Sequence, residues 1–175
     1  MSISTHLSPE PERRLWILFE NMRQTVEWTD KKIGALTAFA AAQLAFVKFL
    51  APAGPLGLLA MAALCAALPL GVFAFSAISG KPKWLPFLQP AIRKHDADDC
   101  MVSAQDIAKY SHSELIHRLD RYLGGGITST HYYEDIVGEV LLSARIAARK
   151  QRLFQVDCVV VGIAQLGLLG QLIWR

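Results

Sequence analysis

The sequence predicts an all-α membrane protein with an N-terminal cytoplasmic helix, a transmembrane hairpin, a cytoplasmic helical hairpin and a C-terminal third transmembrane or membrane-associated helix. Three observations predict this class. Hydrophobic residues make up 53% of the 175 residues and charged residues 19%. The apolar residues are gathered in long blocks, and the polar stretches between blocks repeat apolar residues at helical spacing. A chain of this length and pattern uses the bilayer as part of its solvent.

Residues 1–32 form the first predicted segment, a polar helix in the cytoplasm. Ser8 and Pro9 are suited to an N-cap and a first helical turn. Apolar residues then repeat at helical spacing at Leu15, Phe19, Met22 and Val26. The segment lacks the early apolar run of a cleavable signal peptide. We therefore expect one helix that continues unbroken into the first membrane block.

Residues 33–79 form the predicted transmembrane hairpin, with spans at 33–50 and 56–79. The first span has one charge, Lys48, which lies near enough to its end to reach the headgroups. Two prolines and a glycine within residues 51–55 predict the turn. The second span is uncharged, and its Pro69 and Gly71 permit insertion with a kink.

Residues 80–156 form the predicted cytoplasmic helical region, which opens with a proline-rich strap at 81–90 along the membrane surface. Ser103 and Asp106 have capping-box spacing, which predicts one helix from there to the glycines at 124–126. Its predicted apolar stripe is Ile107, Tyr110, Leu115, Leu119 and Tyr122. A second helix should begin near Thr130 and run into the last apolar block through residues 149–152. Its predicted inner face is Ile136, Val140, Leu141, Ala144 and Ala148.

Residues 157–175 form the predicted C-terminal membrane helix, whose apolar block covers residues 158–174 and has the length of a span. Five Lys and Arg residues precede the first block and eleven lie within residues 80–156. Because positive charge marks the cytoplasmic side, the N-terminus and residues 80–156 should both be cytoplasmic. Gln43 and Gln165 lie inside the blocks, where such side chains more often join helices by hydrogen bonds than line a conduit.

Composition and motifs exclude several functions. A net charge of +3 with interleaved signs gives no basic stripe for nucleic acid. Glu114 and His117, three residues apart on one helix, would supply half of a carboxylate-bridged di-iron site, but the sequence has no second Glu and His pair at that spacing. His95-Asp96 lacks further metal ligands, and the glycines at 124–126 lack the strand that precedes a phosphate loop. We therefore expect no catalytic residue, metal or cofactor, and no enzymatic activity.

A cluster of basic residues on the last cytoplasmic helix has three explanations, which are orientation, contact with anionic lipid, and binding of a phosphorylated ligand. Arg145 and Arg149 lie one turn apart. With Arg118 or Arg121 from the neighbouring helix they could converge on one phosphate. The candidate phosphate contacts are Arg118, Arg121, Arg145, Arg149 and Lys150.

Two stretches resemble the transmembrane effector family of the bacterial Pycsar anti-phage defence system. The first, residues 28–36, contains Asp30 and Lys32 and is similar to that family's Asp-x-Lys entry into the first span. The second, residues 136–154, is similar to its late cytoplasmic helix, in which small and aliphatic residues lead to a basic pair and a final apolar segment. The likeness in layout covers most of the chain.

The resemblance implies a function and a location. In that family a cyclic pyrimidine mononucleotide, made after infection, causes the effector to impair the bacterial inner membrane, so that the infected cell stops growing or dies. A single chain cannot enclose an aqueous path, so we expect a homo-oligomer joined through small residues such as Ala60, Ala63 and Ala67. The alternative is a constitutive membrane adaptor whose cytoplasmic hairpin docks a partner protein.

Overall fold

A computed structural model describes residues 10–50, 54–75, 99–123 and 131–173, and every secondary-structure element among them is an α-helix. The helices are α1 (Glu10–Leu50), α2 (Pro55–Phe75), α3 (Ala104–Ile107), α4 (His112–Leu123) and α5 (His131–Ile173). The predicted all-α class is confirmed for these residues. The predictions at Ser8, the strap at 81–90, His95-Asp96, the turn at 124–126 and Thr130 lie outside the described residues.

The chain divides into two compact units. The first unit comprises Met1–Val26 and Leu85–Ala148, and the second comprises Glu27–Trp84 and Arg149–Arg175. Both α1 and α5 contribute residues to each unit. The predictions that one helix continues into the first membrane block and another into the last block are confirmed, because α1 has 41 residues and α5 has 43.

The first unit has a core built from all four of its helices. α1 contributes Leu15 and Met22, and α3 contributes Ile107. All five residues of the inner face predicted for α5 are buried. The predicted stripe on the preceding helix is wrong at Tyr122, which is 69% exposed, whereas Leu115 and Leu119 of α4 are buried.

The predicted single helix from Ser103 to the glycines is wrong, because a break separates α3 from α4. Helix α3 ends in a tight turn, in which Lys109 N donates to Asp106 O and Tyr110 N donates to Ile107 O. Ser103 stands at the N-cap of α3, but its side chain makes no capping hydrogen bond. A new helix begins after Ser111 because that residue has a capping box of its own.

The second unit packs α1, α2 and α5 around small and branched residues. Its core is Ala40, Val47, Leu64, Ala67, Val161 and Ala164. The helices approach closely where glycine replaces a side chain. A Cβ atom at Gly71 would lie 2.1 Å from Thr37 Oγ1, and one at Gly167 would lie 3.2 Å from Ala60 Cβ. Such small-residue contacts are typical of membrane helix packing.

Two described helices, α2 and α5, are long and apolar enough to cross a membrane. The first matches the predicted span at 56–79, and Pro69 lies inside it without ending the helix. The second contains the predicted span at 158–174, whose Val161 and Ala164 lie in the core of the second unit. Within the described residues α1 does not meet the same criterion, so the predicted span at 33–50 stays a prediction.

Candidate functional site

Two of the predicted phosphate contacts, Arg118 and Arg145, meet around Tyr110 in the first unit. Arg145 Nη2 donates a hydrogen bond of 2.9 Å to the Tyr110 carbonyl oxygen. The Arg118 guanidinium lies 5.4 Å from the centroid of the Tyr110 ring, which is the distance of a cation–π contact. The structure therefore brings these two arginines together on a buried residue of the protein itself, and their predicted contact with a phosphate stays a prediction.

The same tyrosine anchors a small polar network. Tyr110 is 1% exposed, and its hydroxyl donates to Asp99 Oδ2 at 2.9 Å. Lys109 Nζ donates to Asp106 Oδ1 and, at 3.1 Å, to Asp99 Oδ1. Burial raises the pKa of the Tyr110 phenol, and its hydrogen bond to Asp99 raises that pKa further. Hydrogen bonds to Asp106 and Asp99 raise the pKa of the Lys109 ammonium group.

Arg121, in the last turn of α4, differs from its neighbours. Its side chain is exposed, and within the described residues it makes no hydrogen bond or ion pair. A guanidinium with its donors open to solvent can bind an oxyanion without first giving up a protein partner. Arg121 is therefore the member of the predicted set that is best placed to meet a phosphate from solution.

The remaining predicted contacts, Arg149 and Lys150, belong to the second unit. Lys150 is 6% exposed, and its Nζ lies 2.6 Å from Asp30 Oδ1. Burial lowers the pKa of the Arg149 guanidinium. The predicted set is therefore divided, with Arg118, Arg121 and Arg145 in the first unit.

The ion pair between Lys150 and Asp30 joins the two stretches that carry the family resemblance. Asp30 belongs to the predicted membrane-entry motif and Lys150 to the late basic pair. Lys32, the other residue of the entry motif, is exposed. The sequence predicts both charged motifs but not the contact between them, because Asp30 and Lys150 are 120 positions apart.

The two glutamines inside the predicted spans also form a contact. Gln165 Nε2 donates a hydrogen bond to Gln43 Oε1 and so joins α5 to α1 within the second unit. The prediction that these side chains join helices is confirmed. A hydrogen bond of this kind satisfies polar groups that an apolar environment would otherwise leave without partners.

An open cleft of about 270 Å³ lies in the first unit, and no sequence pattern predicted it. Its apolar lining is Trp16, Phe19, Tyr132 and Ile136, and its polar lining is Asp135 and Glu139. Trp16 and Phe19 meet edge to face, with 5.7 Å between their ring centroids. The two carboxylates would repel a phosphate. The cleft is better suited to a cationic or neutral partner than to an anion.

The Glu114–His117 pattern has a structural explanation. Ser111 N donates to Glu114 Oε2 at 2.9 Å, and Glu114 N donates back to Ser111 Oγ at 3.4 Å. This reciprocal pair is a capping box at the start of α4. Among the described residues no group of three or more His, Cys, Asp and Glu side chains could hold a metal ion.

Comparison with known proteins identifies one family. A family model described as Pycsar effector protein domain matches residues 14–174 of the chain, which includes both stretches of the resemblance. No curated protein matches the chain, and no solved structure matches it. The match extends through both units and all five helices.

Proposed function

Because the chain belongs to the Pycsar effector family, a family of anti-phage defence, we propose that it senses a cyclic pyrimidine mononucleotide and then impairs the bacterial inner membrane. The family match over residues 14–174 is the observation that carries this proposal. In the proposed action, the first unit is the cytoplasmic sensor and the second unit acts in the membrane. The protein itself catalyses no reaction.

The arginines of the first unit support the sensing step. Arg121 offers open donors, while Arg118 and Arg145 hold Tyr110 beside the break between α3 and α4. A cyclic phosphate that binds Arg121 and competes with Tyr110 for Arg118 or Arg145 would favour a different packing of that break. A ligand shifts such an equilibrium only by its difference in affinity for the two packings. The new charge contact would supply that difference.

The composition of the second unit supports the membrane step. Large apolar side chains are exposed on α2 and α5, as expected for surfaces that face lipid. The most exposed of them are Leu58, Val72, Leu166, Leu172 and Ile173. Ala40, Ala67 and Ala164 are almost fully buried in the core, and Ala60 is also buried. The expectation that copies join through Ala60 and Ala67 is therefore wrong, because these residues pack inside one chain. We therefore propose that several copies assemble before the membrane becomes permeable.

The shared helices supply a physical link between the two steps. α1 passes from the first unit to the second after Val26, and α5 does so after Ala148. Neither helix is interrupted at that position. A change in how α1 or α5 packs in the sensor therefore reaches residues of the membrane unit along one helix.

Dye release from liposomes tests the proposal. The purified full chain is reconstituted, and the 3′,5′-cyclic monophosphates of cytidine, uridine, adenosine and guanosine are each added in turn. We expect release with a pyrimidine nucleotide and none with the purines. If the protein is inserted and oligomeric but no nucleotide changes the release, the proposal fails.

A constitutive membrane adaptor is the second candidate, and the aromatic cleft with Asp135 and Glu139 is the observation that favours it. A protein partner could insert a lysine or arginine side chain between the rings and the carboxylates. An adaptor would bind its partner without a nucleotide and would leave the liposomes sealed. The same dye-release experiment therefore separates the two candidates.

A further inference from the structure

Asp157 lies buried in the second unit, and none of the described residues forms a hydrogen bond or ion pair with it. The residue is 3% exposed, and its Oδ1 atom makes no hydrogen bond. It lies on the inward stripe of α5, where Lys150, Leu153, Val161 and Ala164 are also buried. A carboxylate in such a place is costly unless it is paired, hydrogen-bonded or protonated.

Several other polar side chains of this unit have partners. Lys150 pairs with Asp30, Gln165 bonds to Gln43, and Thr37 Oγ1 donates to the Ile33 carbonyl at 2.8 Å. Asp157 stands between two of these contacts, about two helical turns from Lys150 and about two from Gln165. The second unit therefore has polar contacts on both sides of Asp157, whereas Asp157 Oδ1 has no hydrogen bond among the described residues.

One further buried side-chain atom of the described residues, Arg149 Nε, also lacks a hydrogen bond. The Arg149 side chain makes other interactions, whereas Asp157 has no hydrogen bond or ion pair with any residue that the structure describes. A structural role in the resting fold therefore does not account for Asp157. Ionisable side chains inside membrane segments commonly mark ion or proton pathways.

From this contrast we propose that Asp157 lines the path through which the assembled protein lets ions cross the membrane, and that it gives this path a preference for cations. The inference rests on the proposed membrane function and names the residue that sets its selectivity. Asp157 immediately precedes the apolar block at 158–174. It therefore lies at the predicted cytoplasmic end of that span. Symmetric copies would bring their carboxylates to that level as a ring, and rings of Asp or Glu select cations in channels.

The burial of Asp157 also favours opening of the path. In the resting unit the carboxylate is kept from water, which costs free energy because no described residue compensates for the lost hydration. A rearrangement that admits water to Asp157 restores its hydration. The resting packing is therefore less stable than one with a neutral side chain of the same shape, and the nucleotide needs to supply less free energy to convert it.

The test compares full-length wild type with Asp157→Asn and Asp157→Glu in planar bilayers under a KCl gradient, after addition of cyclic cytidine or uridine monophosphate. Glu20→Gln, which changes an exposed carboxylate on α1, is the matched control. Wild type, Asp157→Glu and the control should pass K⁺ in preference to Cl⁻. Asp157→Asn should still conduct, with a permeability ratio close to one. Its melting temperature in detergent should exceed that of the wild type.

Each other outcome decides against the inference. Equal permeability ratios in wild type and Asp157→Asn, or a lower melting temperature in the variant, would overturn it and leave the proposed function intact. An inserted wild type that never conducts would overturn the proposed function and this inference with it. If Asp157→Asn fails to fold, Asp157→Ser supplies a second neutral side chain for the same comparison.

Discussion

Lys150 Nζ lies 2.6 Å from Asp30 Oδ1 and so joins α5 to α1 across 120 residues of sequence. The lysine side chain is 7% exposed and the aspartate side chain 32% exposed. The pair is therefore only partly screened by solvent. Its contribution to stability should exceed that of an ordinary surface ion pair.

Asp30→Asn tests this contact. The change leaves the buried Lys150 ammonium without its countercharge, and we expect the free energy of unfolding in detergent to fall by about 1–3 kcal/mol. Lys32→Gln removes an exposed charge of the same motif and should stay within about 0.5 kcal/mol of wild type. A double variant with Lys150→Met should recover part of the loss. Equal stability of Asp30→Asn and Lys32→Gln would contradict the prediction.

Gly71→Ala tests the close packing of α1 and α2. The new Cβ would lie 2.1 Å from Thr37 Oγ1 and 3.1 Å from its Cγ2, and a crowded site of this kind costs about 1–3 kcal/mol. Thermal unfolding in detergent measures the loss. Gly162→Ala is the matched control, because nothing lies within 4 Å of its new Cβ. A combined Gly71→Ala and Thr37→Ala variant should be more stable than Gly71→Ala alone.

Ser111→Ala tests the capping box that begins α4. The loss of a cap hydrogen bond typically costs about 0.5–2 kcal/mol, which denaturant unfolding would record. Ser103→Ala is the matched control, since Ser103 occupies an N-cap position but makes no side-chain cap bond. A larger loss in the control than in Ser111→Ala would show that the wrong serine has been assigned.

Arg121→Ala and Arg145→Ala should have different effects. Arg121 is exposed, so its loss should leave stability within about 0.5 kcal/mol of wild type. If Arg121 contacts the phosphate, the Arg121→Ala substitution should also raise the nucleotide concentration needed for dye release roughly tenfold or more. Arg145→Ala removes the hydrogen bond to the Tyr110 carbonyl and should lower stability even without nucleotide. An unchanged response in Arg121→Ala would remove Arg121 from the site.

Alkaline pH should destabilise the first unit. The folded protein raises the pKa of both Tyr110 and Lys109 above their ordinary values of 10.0 and 10.5. Their contributions to stability are therefore fully present below about pH 10 and are lost as the pH rises through the folded-state values. Melting temperatures between pH 8 and 11 should fall less steeply for Tyr110→Phe than for wild type. Tyr122→Phe, which changes an exposed ring, should follow the wild-type curve.

The sequence predicted the features that depend on local pattern and composition. The uncharged run after Pro55 is sufficient to predict α2, and the apolar spacing predicts the buried face of α5 from Ile136 to Ala148. A hydrogen-bonding role between helices could also be predicted for Gln43 and Gln165, because polar groups in an apolar block need partners; that they bond to each other could not. In each of these cases the physical cause lies within one segment.

The break between α3 and α4 could not be predicted in the same way. Ser103 with Asp106 and Ser111 with Glu114 have the same capping-box spacing, and only the second pair forms the box. Arg145 donates a hydrogen bond to the Tyr110 carbonyl oxygen in the break. Because Arg145 lies on another helix, the local sequence does not predict this contact. The ion pair of Lys150 with Asp30 and the lack of a hydrogen bond at Asp157 Oδ1 are also tertiary features. The spacing of residues within one helix does not predict them.

The close contact of Gly167 with Ala60 has a consequence for how the protein is made. α1 and α2 leave the ribosome before α5 is synthesised, and domains form during synthesis as their parts become available. Until α5 arrives, the flank of α2 that contains Ala60 has no covering helix from its own chain, and Asp30 has no Lys150. The second unit is therefore complete only after Gly167 has been translated. A nascent chain interrupted before that point lacks the contact between α2 and α5.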